Sequence, residues 1–255
     1  MKKHDQTYRR ASVATLLGTL CFGVALAGAG KQPTAQKVDT TTASPDAKRA
    51  APVYKPPRRG APLTRIGGGT RGDDAMVALQ VIAPEHTGLT TMAQPTLYWY
   101  ASRAIDGDVE FVLTERDAIA PVWRHRIEGK FESGIQPFAL QEAGLELQPG
   151  IDYQWSVAVI HSSGKRARDV VAIGTVERIV DAQLPNPAAD PLDRAAQLAA
   201  NGVWYDAIQV LSEFIGRDAA DQVARSYRRD LLEQVGLLDV ADAERIAANY
   251  QPANL

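Results

Sequence analysis

Leu147-Gln148-Pro149-Gly150-Ile151-Asp152-Tyr153-Gln154-Trp155-Ser156-Val157-Ala158-Val159 decides the fold. Tyr153, Trp155, Val157 and Val159 recur at every second residue, so on a strand they share one face and leave Gln154, Ser156 and Ala158 on the other. That pattern is a half-buried antiparallel strand. Pro149-Gly150 marks a turn before it, and a tyrosine just past such a turn can return its hydroxyl to nearby backbone, as at the tyrosine corner of immunoglobulin-like sandwiches.

Working outward, short alternating runs bounded by turn residues follow one another. Val77, Leu79 and Val81 precede Pro84; Leu97 and Trp99 follow Pro95; Val109, Phe111 and Leu113 follow Asp106-Gly107. Runs at Val122 to Ile127 and Ile135 to Leu140 precede the central strand, and Asp169 to Val180 comes after a Ser162-Ser163-Gly164-Lys165 loop. Within the last run Gly174 is read as a bulge, because the apolar phase is not kept cleanly across it. Seven such strands predict an all-β immunoglobulin or fibronectin type III-like sandwich over residues 73–183. Trp99, Tyr153 and Trp155 are its expected structural residues.

After Leu184-Pro185-Asn186-Pro187 the period changes. Residues 188–255 read as a C-terminal helical unit, similar to a tetratricopeptide-like helical hairpin in the placing of Ala195, Gly202, Trp204, Ala207 and Phe214. Three helix starts are expected to use paired aspartates, Asp190 with Asp193, Asp218 with Asp221 and Asp239 with Asp242, the first capping free N–H groups and the second facing the helix dipole. Trp204, Ala207, Ile208, Leu211 and Ile215 form one apolar stripe, and Ala220, Val223, Ala224, Tyr227 and Leu231 another. The unit either docks on the sandwich or stands alone. Tyr205 is rotated about 100° from the first stripe, so Trp204-Tyr205-Asp206 is taken as a speculative partner-binding patch with Tyr205 turned outward.

At the other end, Lys2, Lys3, Arg9 and Arg10 precede an apolar run from Val13 to Ala27 and two small-residue cleavage sites. Residues 1–29 are therefore expected to be a signal peptide that touches the membrane only in transit, a retained anchor being the alternative. The mature protein would be periplasmic or secreted, and without Cys21 it would hold no thiol, which excludes disulfides, cysteine nucleophiles and thiolate metal sites. Residues 30–72 read as a disordered, basic linker rich in Pro, Thr and Ala. From Lys31 to Gly60 seven basic side chains face two acidic ones, and from Asp181 to Leu255 twelve acidic face six basic, a contrast that suits a solvated arm.

Chemical motifs are absent where they would be needed. Gly67-Gly68-Gly69-Thr70 lacks a following Gly-Lys-Ser/Thr and a helix, so it is no phosphate loop. His86, His125 and His161 lie on separate predicted elements, so no metal site and no cofactor are expected. Trp123-Arg124-His125-Arg126 gives at most a short stripe of positive charge, too little for a nucleic-acid surface.

Arg59-Gly60-Ala61-Pro62, Gly67-Gly68-Gly69-Thr70-Arg71, Gly88-Leu89-Thr90, Pro95-Thr96-Leu97-Tyr98-Trp99-Tyr100, Tyr153-Gln154-Trp155 and Asn201-Gly202-Val203-Trp204-Tyr205-Asp206-Ala207 occur in this order. Together they resemble the bacterial family of domain of unknown function 928. The resemblance implies an exported bacterial protein and supplies no catalytic residue. Two functions stay open: a non-enzymatic binding or assembly module of the cell envelope, its partner another envelope protein, or an envelope enzyme, hydrolytic or carbohydrate-active, with its site at the sandwich–helix junction.

The inward phase of the central strand has a direct test. Trp155→Ala is expected to lower stability by about 3 to 5 kcal/mol and Tyr153→Phe by roughly 1 kcal/mol in denaturant melts. A Trp155→Ala variant that melts like the wild type would reverse the phase.

Overall fold

The computed structural model describes residues 50–57, 66–67, 77–160, 169–180, 185–187 and 189–249. The chain divides into Met1–Ala47 and Lys48–Leu255, and every described residue belongs to the second unit. The signal peptide, most of the linker, the Arg71-Gly72-Asp73 stretch and the Ser162–Lys165 loop lie outside the described residues.

Two sheets face each other. The four-stranded one runs in the order β1 (Ile66–Gly67), β2 (Leu79–Val81), β4 (Thr96–Ala101), β7 (Gly134–Ala139). The five-stranded one runs β3 (Gly88–Thr90), β9 (Val170–Arg178), β8 (Asp152–Ile160), β5 (Ile105–Glu115), β6 (Trp123–Phe131). Pairing is antiparallel except between β3 and β9. The sequence that opened the reading becomes β8, the middle strand of the larger sheet, with Tyr153, Trp155, Val157 and Val159 all buried. Ahead of it the Gln148 N–H donates to the Tyr153 hydroxyl at 3.2 Å, which pins the turn to the strand.

Strands β1 and β3 go beyond the seven expected. Gly88-Leu89-Thr90 is buried throughout and pairs parallel to β9, so it shows no alternation to detect. Gly174 is a second difference: β8 and β9 keep unbroken register from Asp152↔Glu177 to Val159↔Val170, with no bulge. A Cβ on Gly174 would stand 3.0 Å from Trp155 Nε1 and 3.0 Å from Ala83 Cβ. The glycine is there because the indole opposite lies across it.

Four helices follow: α1 (Pro191–Ala200), α2 (Trp204–Arg217), α3 (Gln222–Gln234) and α4 (Leu238–Asn249). They dock rather than stand apart. Tyr98 of β4 faces Ser212, Glu213 and Arg228, Tyr100 faces Asp239, the Gln80 amide donates to Asp239 at 3.0 Å, and the Thr96 N–H donates to Gln209 at 2.9 Å. The four-stranded sheet is thus covered on both faces, which is why Leu97-Tyr98-Trp99-Tyr100-Ala101 is buried without a break. No helix among the described residues is long and apolar enough to cross a membrane.

Of the three aspartate pairs, only the first acts as expected. Asp190 caps α1, accepting from the N–H groups of Leu192 at 3.0 Å and Asp193 at 3.4 Å, with Pro191 in the first turn. Asp221 rather than Asp218 caps α3, and Asp239 lies inside α4. The α3 stripe is rotated too: Ala224, Tyr227, Arg228, Leu231 and Leu232 are buried, while Val223 and Ala220 are exposed. The rotation accommodates a buried ion pair, in which Arg228 donates from Nε and Nη2 to Glu244 at 3.1 and 2.7 Å and from Nη1 to Ser212 at 3.0 Å. One guanidinium so joins α2, α3 and α4.

Residues 50–57, read from sequence as part of the disordered linker, form a strap. Pro52 and Tyr54 are buried between exposed Ala51, Val53 and Lys55. The Tyr54 ring meets Trp204 edge-on at 5.0 Å and stacks on His86 at 5.8 Å, while its hydroxyl shares a 2.8 Å hydrogen bond with His86 Nε2. Gln234 accepts from Tyr54 N–H and donates to the Pro52 carbonyl, both at 2.8 Å, and Lys55 N–H donates to Ala199 at 3.1 Å. One large ring and several backbone bonds are enough to order this segment of mostly Ala and Pro. Tyr54→Ala is expected to lower stability by about 2 to 4 kcal/mol, as aromatic truncations in cores do. Denaturant melts check it, and an unchanged midpoint would detach the strap from the helices in solution.

Candidate functional site

Trp204, Tyr205 and Asp206 come first because sequence placed a partner surface there. The structure buries all three, at 0%, 1% and 2% exposure. Tyr205 does not turn outward, because the first turn of α2 packs into the sandwich against β3, burying Trp204, Tyr205, Asp206 and Ala207 together, and so has no solvent side. Trp204 Nε1 donates to the Ile82 carbonyl at 3.0 Å. The Tyr205 hydroxyl accepts from Trp155 Nε1 at 2.9 Å and donates to the Thr175 carbonyl at 2.8 Å. Asp206 accepts from the Thr90 hydroxyl, the Thr91 N–H and the Thr91 hydroxyl. These three consecutive residues therefore close one side of the sandwich. Around them the sandwich–helix junction is filled; the groove left at its rim, about 370 Å³, is lined by Tyr54, Pro84, Glu85, His86 and Gln234 among others.

Strand order puts β1 and β3 on that closed side and β7 and β6 on the other. There the chain crosses from one sheet to the other through Glu132 and Ser133, and the two edge strands part to leave a cleft of about 440 Å³. Its walls are aromatic. Phe111 of β5 stacks on Phe138 of β7 at 4.1 Å, Trp99 meets Phe131 edge-on at 5.7 Å and Phe111 at 6.0 Å, and Trp123 leans on Phe138 at 5.5 Å and on His125 at 5.4 Å. Period-two geometry puts Trp123, His125, Ile127 and Phe131 of β6 on the cleft side. Arg124, Arg126 and Lys130 fall on the other face, where Arg126 pairs with Asp108 and Lys130 with Asp106 at 3.3 Å. The positive stripe read from sequence is thus divided from the aromatic face and partly neutralised.

Polar groups in the cleft are few: His125, Gln136 and Glu142, with Trp99 beneath. Trp99 is 1% exposed and its buried Nε1 has no hydrogen-bond partner. A buried donor left without an acceptor costs about 1 to 3 kcal/mol. The other structural residues named from sequence, Tyr153 and Trp155, are buried in β8 and do not line the cleft. Sequence reasoning missed the cleft because Trp99, Phe111, Trp123, Phe131 and Phe138 come from four different strands. The alternation Trp123-x-His125-x-Ile127 was the available signal. Among the described residues no group of three or more His, Cys, Asp or Glu could hold a metal ion.

A profile of the family described as Domain of Unknown Function (DUF928) matches residues 66–245. No curated protein matches the sequence. Among solved structures, an engineered protein aligns at 9% identity over 42% of this chain and 21% of its own, with a TM-score of 0.28, so the chain spans about a fifth of that protein's length. A multi-domain immunophilin from Arabidopsis thaliana aligns at 9% identity over 72% of this chain and 100% of its own, with a TM-score of 0.17. Neither similarity carries an argument.

Asp206 gives the closed side a pH signature. Burial pushes its carboxyl up, against the lowering effect of the Thr90 and Thr91 donors and of Arg194. Between the ordinary aspartate value of about 3.9 and the higher folded one, the folded state holds more protons, so the Asp206 contribution to stability falls as pH rises through that window. The stability of the wild type relative to Asp206→Asn is therefore expected to decline from about pH 4 upward in denaturant melts. A difference that stays flat or grows would overturn the raised value.

Proposed function

The chain belongs to the DUF928 family, and for it we propose an exported, non-enzymatic binding module of the bacterial cell envelope that takes its ligand in the cleft between β6 and β7. The observation that carries this reading is the cleft itself: aromatic walls, a volume of about 440 Å³ and a buried indole N–H without an acceptor. Pockets of this size lined by aromatic rings with a few placed polar groups are where proteins bind small ligands. Support for export comes from sequence alone, in the order basic segment, apolar run and small cleavage residues. Within this reading the sandwich is of the immunoglobulin or fibronectin type III kind, favoured by the Tyr153 hydroxyl at the turn, and the helices are tetratricopeptide-like pairs. The charged and mostly neutralised outer face of β6 leaves the cleft as the surface that an envelope partner or its ligand would address.

Mature protein from the envelope fraction is expected to begin after Ala27 or Ala29, which N-terminal sequencing reads directly; a start at Met1 would point to the anchor. The uncharged fluorescent dye Nile red is expected to bind the folded protein and to lose at least about tenfold in affinity in Trp123→Ala, a difference of about 1.4 kcal/mol. Trp123 is half-buried against the core, so melts of the variant accompany the titration and separate lost binding from lost folding. Dye binding that Trp123→Ala leaves intact would remove the cleft from the function.

A further inference from the structure

Resting on that reading of the cleft, we infer that its ligand is a neutral carbohydrate, a short oligosaccharide segment lying against the Trp123 ring with its hydroxyls on Gln136, Glu142 and His125. The electrostatics select against ions. An anion would meet the Glu142 carboxylate, and the arginines of β6 face the other way. A cation would find one carboxylate, short of the cluster that a metal or polyamine needs. What remains is a ligand without charge that has both apolar and hydrogen-bonding surface.

A purely hydrocarbon ligand fits less well. It would desolvate Gln136, Glu142 and His125 without return. Sugar rings present a face of C–H groups that packs on an aromatic plane and an equator of hydroxyls that both donate and accept. The cleft offers the matching parts. Trp123, tilted 36° to Phe138 and 32° to His125, forms a stepped aromatic wall at half-exposed depth. Glu142 accepts, and Gln136 offers an amide whose Nε2 already donates to the Glu132 carbonyl at 3.0 Å and whose carbonyl oxygen can accept.

The test uses the full mature chain with cellotetraose, maltotetraose and chitotetraose as probes, read by displacement of Nile red and by tryptophan fluorescence. At least one is expected to displace the dye. Its affinity should fall tenfold or more in Trp123→Ala and severalfold in Gln136→Ala, which removes one of the few hydrogen-bonding groups lining the cleft. Thermal melts of both variants separate lost binding from lost folding. If the dye binds the cleft and is lost in Trp123→Ala while no oligosaccharide displaces it, the carbohydrate assignment fails and the cleft reading stands. Displacement by a fatty acid or an apolar peptide alone has the same effect. If the dye does not bind at the cleft, and oligosaccharide titrations leave tryptophan fluorescence unchanged, both fall together.

Discussion

Everything else in the described structure depends on one hydroxyl. Tyr205 reaches from the first turn of α2 into the sandwich, where it satisfies the N–H of Trp155 and the carbonyl of Thr175 at once. Each of those groups is buried, and leaving either unpaired would cost about 1 to 3 kcal/mol, a sizeable part of the 5 to 15 kcal/mol by which a domain is stable. The apolar burial of Trp204, Ile208 and Leu211 supplies most of the attraction between helices and sheets, but such burial tolerates sliding. The hydroxyl does not. Its two partners fix the depth and rotation of α2, and two glycines follow from it: a Cβ on Gly174 would crowd Trp155, and one on Gly88 would come within 2.7 Å of the Tyr205 ring.

The same insertion explains why the sandwich is closed on one side and open on the other. Between β2 and β3 the chain crosses from one sheet to the other, and α2 fills the space that the crossing leaves. Between β6 and β7 the crossing is shorter still, through Glu132 and Ser133, but no described helix enters there, and rings from both sheets meet without closing the gap. The bare edges are protected by other means. Pro137 removes a donor from β7, and the charged side chains of β6 discourage another strand from pairing there.

How much of this could be read in the sequence follows from the range of each interaction. Tyr153, Trp155, Val157 and Val159 announced a half-buried strand because alternation is local, and Asp190-Pro191 announced a helix start for the same reason. Tyr205 was misplaced because a helical wheel assumes one buried face, whereas an inserted helix end is buried all round. Tyr54 was assigned to a linker because its partners, Trp204 and Gln234, are far along the chain. Gly174 gave the right alarm with the wrong cause: a glycine in a strand signals either a bulge or a close neighbour, and only the paired register decides between them. The cleft was hidden most deeply, since each of its rings is unremarkable on its own strand.

Between the closed and open sides lies a shared floor. Leu113 pairs with Trp155 and Phe111 with Val157 across β5 and β8, so the rings under the cleft stand on the strands that Tyr205 anchors. Only a gap of about 10 Å³ remains among Leu97, Phe111, Phe138 and Trp155, hardly the size of one water, and so the aromatic wall has no room to collapse inward. A binding surface on loops would have to be ordered by its ligand. Here the rings are held by a packed core, and the core is held in register by buried hydrogen bonds to α2. The cost of arranging the cleft is therefore met by folding, before any ligand arrives.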